Sequence, residues 1–340
     1  MKFKKSQYIT SSTFLSAADV VYIANVTDQM MNLIKNKNLR IISKNSFYKT
    51  VKSSNLTLSE GDIIYCNSSY LENLFYYLKN INNLTNLTLI SGQSDRLIDE
   101  SIFSKKPDCI NTWFAINVAS SHKDLLPIPL GIANEYSPKN IRVRDIAKSN
   151  IKNFPKIEKL YVNLRKNTNL TERSGIENLF KDKEWVTFKE PNLSIEQYMT
   201  DLSLHKFVLC PWGNGIDTHR LWETLYSGGI PVTKFSTAYE SFKSLPIIFV
   251  NNYEEVNLEF LQNQYLKINN NKIDMLFSNY WLDLIQKNQQ RKVSNPKLQE
   301  TINENLLFET LYWKKLFLIS KIKSRFKVLK FYLNKLNKFK

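Results

Sequence analysis

The residues whose types and order best support chemistry lie in the string PWGNGIDTHRLWETLYSGGIPV, which begins at Pro211. The apolar run FVLC before it, at 207–210, predicts a buried strand that ends at Pro211. Gly213, Asn214 and Gly215 then predict a loop in which the glycines can adopt positive φ and let the backbone come close to a ligand. A strand end followed by a glycine loop is where α/β proteins bind phosphate groups.

A helix is predicted to follow this loop, beginning near His219 with Asp217 or Thr218 as its N-cap. Its free N–H groups would face a bound anion, and Arg220 and Glu223 share one face of it. Because a cation in the first turn opposes the helix dipole, a bound diphosphate explains Arg220 better than helix stability does. Glu223 is suited to accept hydrogen bonds from ribose hydroxyls, and His219 could donate to the diphosphate.

The stretch from Leu160 to Val250 resembles the nucleotide-sugar half of exostosin-like glycosyltransferases. The similarity is sharpest in FVLCPWGNGIDTHRLWETLYSGGIPV and extends to LYVNLRKNTNLTER and EWVTFKEPNLSIEQYMTDLSLHKF. A weaker similarity covers LISGQSDRLID, WFAIN and PIPLGIAN in the first half. The sequence departs from the family at Trp212, where a basic or small residue is expected. The resemblance implies a GT-B fold, in which two Rossmann-like domains face a cleft.

Transfer of a sugar requires stabilisation of the leaving diphosphate. Many transferases use a divalent ion held by an Asp-x-Asp pair, but that pair is absent from this sequence. We therefore predict a metal-independent reaction without a cofactor, in which Arg220, Arg165 and Arg173 supply the positive charge. Lys166 is a weaker candidate, since it also fits a loop lysine, and Arg173 also fits a solvated charge on its helix.

The resemblance to an inverting family implies a general base in the first half. Asp95 is the first candidate, because its loop follows the end of the predicted strand in LISGQSD. The alternative interpretation makes Asp95 the N-cap of the next helix. His122 and Glu135 are weaker candidates. The three histidines are too scattered along the sequence to predict a metal site.

The composition, with 43% hydrophobic residues in 340, predicts two globular domains. Strands alternate with helical patterns, which favours parallel sheets, and Ser194 with Gln197 predicts a capped helix start. The predicted domains are an acceptor-side domain at 1–135 and a nucleotide-sugar domain at 159–295, joined by a hinge at 136–158. The predicted strands are Val20–Ala24, Ile63–Cys66, Leu87–Ser91, Leu160–Leu164, Val186–Phe188, Phe207–Cys210, Ile230–Thr233 and Ile247–Val250.

The remaining segment, 296–340, is predicted to be a basic amphipathic helical tail. Ten Lys or Arg and no acidic residue lie between Lys314 and Lys340, in a chain of formal net charge +16. Apolar residues recur there at steps of three and four, so the helix would either pack on the domains or lie on an anionic membrane surface. Nucleic-acid binding is disfavoured because basic and aromatic residues form no recognition motif.

Three widely spaced cysteines predict buried, reduced thiols. The first residues lack an unbroken apolar segment, and no run of 18 apolar residues occurs, so we expect a cytoplasmic protein, peripheral at the membrane if the tail docks there.

The sequence thus predicts a glycosyltransferase that moves a sugar from a nucleotide-diphosphate donor, with UDP-sugars favoured, to a glycan or lipid-linked glycan hydroxyl. A fucosyltransferase-like enzyme with a similar donor half and a catalytically inactive basic binding protein are the alternatives.

Overall fold

The computed structural model describes residues 7–148, 155–268, 270–290 and 298–302, together with Leu318 and Ile322. The fold is mixed α/β, with two large sheets that follow each other along the chain. The strands are β1 (Val20–Val26), β2 (Leu39–Lys44), β3 (Lys49–Ser53), β4 (Thr57–Ser59), β5 (Ile63–Asn67), β6 (Leu87–Gly92), β7 (Ile110–Ala115), β8 (Leu125–Pro127), β9 (Ile157–Val162), β10 (Val186–Phe188), β11 (His205–Leu209), β12 (Ile230–Lys234), β13 (Ile248–Val250) and β14 (Gln299–Thr301). The α-helices are α1 (Asp28–Met31), α2 (Leu71–Leu78), α3 (Glu100–Phe103), α4 (Val143–Lys148), α5 (Leu170–Arg173), α6 (Ile176–Phe180), α7 (Ile195–Leu204), α8 (His219–Tyr226), α9 (Leu258–Leu266) and α10 (Ser278–Gln290).

The first sheet has seven strands in the order β2-β3-β1-β5-β6-β7-β8. Strands β1, β5, β6, β7 and β8 are parallel, and all residues of β5 and β6 are buried, as expected of parallel strands covered on both faces. Strands β2 and β3 form an antiparallel hairpin that extends the sheet beyond β1. The prediction of parallel sheets is therefore correct for five of these strands and wrong for the hairpin.

The second sheet has five parallel strands in the order β10-β9-β11-β12-β13. All eight predicted strands are present in the two sheets, with ends displaced by a few residues, as for β9, which begins at Ile157. The order runs outward from the middle in both directions, so the carboxyl ends of β9 and β11 are adjacent. In such sheets ligands bind beyond the carboxyl ends of the strands.

Local signals determine the ends of the two helices that flank the carboxyl edge of this sheet. Helix α7 begins with the predicted capping box, in which the Ser194 hydroxyl and the Gln197 amide bond each other's backbone N–H groups. Helix α8 ends before Gly228, whose φ of +70° is the left-handed conformation of a helix stop. The side chain of Lys156 then donates to the carbonyls of Ser203 and Ser227, both 2.9 Å away, at the ends of the two helices.

One hydrophobic core contains residues from both halves of the chain. The Tyr226 hydroxyl of α8 accepts a hydrogen bond from the Ile9 backbone N–H at 3.0 Å, and its ring lies 4.9 Å from that of Tyr8. Helix α10 returns toward the first sheet, where Gln289 donates to the Gly61 carbonyl at 2.7 Å. Strand β14 then pairs antiparallel with β4. These contacts set the position of one sheet relative to the other.

The predicted hinge, 136–158, contains α4 and the first residues of β9, while 149–154 lie outside the described residues. The predicted helical tail, 296–340, begins with the strand β14, and beyond Ile302 only Leu318 and Ile322 are described, both of them helical and exposed. In the part of the chain that the structure describes, no helix has the length and apolar character needed to cross a membrane. All three cysteines are buried.

Candidate functional site

The amino end of α8 lies beyond the carboxyl edge of the second sheet and has no side-chain cap. Thr218 occupies the N-cap position, as predicted, but neither its hydroxyl nor the Asp217 carboxylate accepts a hydrogen bond of the capping kind. Asp217 instead accepts from the Leu130 backbone N–H at 2.8 Å and from the indole of Trp222 at 3.0 Å. Burial raises the pKa of Asp217 to about 7. Because no side chain caps α8, N–H groups of its first turn remain available to a ligand. The bond from Leu130 to Asp217 connects the first half of the chain to the second.

The glycine loop has a different basis from the one predicted. Neither Gly213 nor Gly215 has positive φ, so the loop does not use the left-handed conformation that glycine allows. Gly215 is required by a close approach, because a Cβ there would lie 2.6 Å from the Asn117 amide nitrogen. Gly213 has more room, since the atom nearest to a Cβ at that position would be an Arg173 nitrogen at 3.5 Å. Asn214, between them, is exposed at the loop tip.

Arg220 provides a positive charge at this helix start. Its guanidinium lies 5.5 Å from the centre of the Tyr198 ring, and among the described residues no carboxylate lies within ion-pair distance of it. Glu223 is buried one turn later and accepts a hydrogen bond from the Tyr198 hydroxyl at 3.0 Å. Burial raises the pKa of Glu223 to about 7, although the charge of Arg220 acts in the opposite direction. A half-buried cation without a carboxylate partner is suited to an anionic ligand.

Arg173 holds the loop in place. Its guanidinium donates to the carbonyls of Trp212, Pro211 and Arg165, at 2.8, 2.9 and 3.2 Å respectively. Burial lowers the pKa of Arg173 to about 10. Because these hydrogen bonds occupy the three nitrogens of the guanidinium, Arg173 contributes charge to the site while its donors support the backbone. The alternative interpretation of Arg173 as a solvated charge is wrong, since the side chain is buried.

Arg165 and Lys166 follow β9 and line a depression of about 540 Å³ at the carboxyl ends of β9 and β10. Arg165 is exposed, whereas Lys166 forms an ion pair with Glu177. The wall opposite them is set by Asn163, whose amide donates to the Glu190 carbonyl at 2.9 Å. Arg165 is thus available to a ligand in this depression, and the charge of Lys166 is already paired.

His219 connects α8 to the first half, since its Nδ1 lies 2.8 Å from the Gly131 carbonyl oxygen. Nδ1 must carry a proton to donate there, which leaves Nε2 of the neutral ring as an acceptor. Burial lowers the pKa of His219, and the negative charge of Asp95 acts against that shift. The neutral tautomer is therefore favoured at pH 7.

Asp95 is exposed in the loop that follows β6. The loop is held by Gln93, which has a φ of +59° and hydrogen-bonds both backbone groups of Asn25 at 2.8 Å. The alternative interpretation of Asp95 as an N-cap is wrong, because Asp99 caps α3 by accepting from the Ile102 N–H. Asp95 and His219 thus lie on opposite sides of the junction between the two halves, and Asp95 is close enough for its negative charge to act on the pKa of His219.

The two weaker base candidates have other partners. His122 lies 2.6 Å from the Glu100 carboxylate and stacks on Phe103 with ring centres 3.7 Å apart. Glu135 pairs with Arg144 at 3.2 Å. Both residues have local contacts that explain their positions.

Two residues of the site, Tyr198 and Asn117, were not predicted from the sequence. Tyr198 lies on α7 and contacts Arg220 and Glu223 only because α7 packs on α8. Asn117 lies in the string WFAIN, has a φ of +60°, and accepts a hydrogen bond from the Asp217 N–H at 2.9 Å. An asparagine in the left-handed region is a known signal of a special backbone position, but φ is not readable from the sequence.

Within the described ranges, no three His, Cys, Asp or Glu side chains converge as a metal site would require. No protein-family model matches this chain, and no curated protein matches it either. The arrangement itself comprises free helix N–H donors, the Arg220 cation and the buried Glu223 carboxyl beyond the carboxyl edge of a parallel sheet. Such a site can bind a phosphate next to a group bearing hydroxyls.

Proposed function

We propose that this protein is a GT-B glycosyltransferase that moves a sugar from a nucleotide-diphosphate donor to the hydroxyl of a glycan or lipid-linked glycan. The two α/β halves would be Rossmann-like domains that face a cleft, with the donor on the second half and the acceptor on the first. UDP-sugars are the favoured donors. The resemblance to exostosin-like enzymes motivates this assignment, and the geometry around α8 supports it.

The observation that carries the proposal is the half-buried Arg220 at an uncapped helix start. An unpaired cation in the first turn destabilises a helix, so the arrangement favours a role in binding an anion. The diphosphate would contact Arg220, the N–H groups of α8 and the loop at Gly213, Asn214 and Gly215. Arg165 is the second cation proposed to contact the donor, and Arg173 adds positive charge behind the loop.

In this proposal the diphosphate leaves as its charge grows on the oxygens that face Arg220. Preorganised donors stabilise such charge without reorganising during the reaction. The charge comes from side chains and helix N–H groups, so we propose a reaction independent of a divalent ion. Glu223, steadied by Tyr198, would accept hydrogen bonds from the ribose.

Asp95 is proposed as the base that removes the proton of the acceptor hydroxyl as that oxygen attacks the anomeric carbon. Attack on the face opposite the diphosphate inverts the configuration at this carbon. The loop of Asp95 belongs to the first half, and the effect of the Asp95 charge on the pKa of His219 in α8 supports a position of this loop toward the donor half.

Thermal shift with UDP, GDP, CMP and their sugars, with and without EDTA, tests the donor site. Saturating ligand at about a hundred times its dissociation constant should stabilise the protein by roughly 2.7 kcal/mol. Arg220→Ala should abolish the shift and Arg220→Lys should reduce it, because lysine lacks the bidentate fork. Arg144→Ala, at an exposed ion pair, is the matched control and should keep the shift.

A shift from one nucleotide that resists EDTA and disappears in Arg220→Ala supports the proposal, and the nucleotide then identifies the base. A preference for GDP over UDP would favour a fucosyltransferase-like enzyme. Binding without turnover for any acceptor would favour a catalytically inactive binding protein. Equal shifts in wild type and Arg220→Ala would contradict the site.

The charged tail is proposed to contact an anionic membrane surface near the lipid-linked acceptor, which would make the cytoplasmic enzyme peripheral. Sedimentation with anionic liposomes compares the full chain with a variant in which the lysines at 314, 315, 321 and 323 are replaced by glutamine. Equal sedimentation of the two proteins would exclude this role for the tail. Nucleic acid is not proposed as a partner.

A further inference from the structure

We propose that the β2–β3 hairpin of the first sheet is a docking surface for an anionic lipid bilayer. The hairpin is separate from the donor site, and the proposal does not depend on the reaction assigned above. It rests on an exposed apolar surface, on a bias in charge and on the position of the hairpin in the fold.

The apolar surface is at the end of the hairpin. Ile41 and Ile42 are 51% and 37% exposed, and Phe47 in the turn is 58% exposed. The register of β2 shifts between Ile41 and Ser43, so Ile42 lies at a bulge of this strand at the end of the sheet, and the side chains of both isoleucines are left exposed. Three large apolar side chains in water at one tip are unfavourable unless another apolar phase receives them.

The tip is well ordered by its own hydrogen bonds. The Asn45 side-chain oxygen accepts from the backbone N–H groups of Phe47 and Tyr48, at 2.8 and 2.9 Å. The Asn45 N–H in turn donates to the Tyr48 carbonyl at 3.0 Å. This turn presents Phe47 outward in a defined conformation, so little ordering is needed when the tip binds.

The charge around the tip is one-sided. Between Asp28 and Glu60 the sequence contains six Lys or Arg and no acidic residue. Lys49 pairs with Asp28, Lys35 pairs with Asp19 at 3.0 Å, and Lys52 is fully buried over the Tyr22 ring, so these three side chains add no free charge to the exposed tip. Lys44, next to the turn, is exposed and has no ion pair within the described residues. Apolar side chains at a tip with a basic border match the interface of an anionic bilayer.

Other occupants match the hairpin less well. Among the described residues β2 ends the sheet, and a second copy of this chain would bring the same positive charge to that edge, which opposes pairing. The segment 314–340 is also basic, with ten Lys or Arg and no acid, so it is not complementary either. A glycan presents mainly hydroxyl groups and would form few apolar contacts with the two isoleucines. An anionic lipid surface satisfies both the apolar and the charged parts.

The hairpin also lies beside the junction between the two halves. Lys49 pairs with Val26 at the carboxyl end of β1, so the turn extends past that edge of the sheet. The ring of Tyr48 lies 5.3 Å from that of Tyr136, whose hydroxyl accepts from Asn134 at 2.7 Å. A bilayer that receives Phe47 would therefore lie next to the acceptor side of the proposed site.

The test uses the full chain with an environment-sensitive nitrobenzoxadiazole probe on Ser46→Cys, a position in the exposed turn. The three native cysteines are buried, which favours labelling at the new thiol. Phosphatidylcholine vesicles with phosphatidylserine should shift the emission to the blue, and vesicles without it should not. The control probe on Leu266→Cys, an 81% exposed position on α9, should not respond. A probe at position 46 reports the hairpin even when the tail binds.

The variant Ile41→Thr/Ile42→Thr/Phe47→Ser keeps strand-forming residues in β2 and should lower vesicle affinity at least about tenfold in sedimentation. Lys44→Glu should lower it less, and Leu266→Ser should leave it unchanged. Far-UV circular dichroism verifies that each variant is folded. Vesicle binding without a response at position 46 would overturn the proposal, as would equal affinity of the triple variant and wild type. Dimerisation that the triple variant abolishes would instead assign the hairpin to a second copy.

Discussion

Replacement of Arg173 by methionine separates a residue that supports the loop from one that binds the donor. Methionine keeps much of the buried apolar volume and removes the three hydrogen bonds to Pro211, Trp212 and Arg165. If Arg173 acts through the loop, the variant should lose stability first and lose ligand affinity as a consequence.

The magnitude follows from two opposing terms. Hydrogen bonds from a charged donor contribute about 2 kcal/mol each, so three amount to roughly 6 kcal/mol. Burial and the nearby charge of Arg220 lower the pKa of Arg173 to about 10, a net cost to the charged guanidinium of about 3 kcal/mol that the variant no longer bears. The expected loss in the free energy of unfolding is therefore about 3 kcal/mol, as is usual when one partner of a buried polar network is removed.

Urea unfolding followed by tryptophan fluorescence and circular dichroism measures this loss. Arg173→Lys should recover part of it, since an ammonium can reach one or two of the carbonyls. Arg144→Met, half exposed at a surface pair, is the matched control and should change the free energy by less than about 1 kcal/mol. If Arg173→Met unfolds like wild type and yet no longer binds nucleotide, Arg173 is a direct ligand and the reasoning is wrong.

Two further predictions concern the loop and pH. Gly215→Ala should lower the free energy of unfolding by about 1–3 kcal/mol, because its Cβ would lie 2.6 Å from the Asn117 amide nitrogen. Gly213→Ala should lower it less, since that position has more room. Adding Asn117→Gly to Gly215→Ala should recover part of the loss, because it removes the close contact. Urea midpoints of the single and double variants measure this, and equal costs for the two glycines would contradict it. The pKa of Asp217 and of Glu223 is raised to about 7, so both contribute stability that is full below about pH 4 and is lost as pH rises through 7. Asp217→Asn and Glu223→Gln should each make the urea midpoint depend less on pH between pH 5 and 8. If the midpoint of both variants changes with pH as in wild type, the raised pKa of these two carboxyls is refuted.

Much of the fold was readable from local patterns in the sequence. Apolar runs predicted the parallel strands of both sheets, and Ser194 with Gln197 predicted the start of α7. Gly228 stops α8 through its positive φ. These features depend on residues close together in the chain, so short-range rules describe them.

Other elements were beyond such rules. Strand β2 is mostly exposed and lacks the alternation of a half-buried strand, so the hairpin was not predicted. Strand β14 pairs with β4 across more than two hundred residues of sequence, and its three residues have no pattern of their own. Their pairing is a consequence of how the rest of the chain folds.

For the site, the sequence by itself determined which residues stand at the end of a strand and the start of a helix, and therefore that Arg220 and Glu223 share one face. Tertiary structure decided what each polar group contacts. In the folded protein Arg173 donates to backbone carbonyls, and Asp217 accepts from the Leu130 N–H. Gly215 is necessary there because the Asn117 side chain leaves no room for a Cβ. The physical reason is that burial, hydrogen-bond partners and close contacts arise from segments distant in sequence, and no local pattern specifies which distant group will be there.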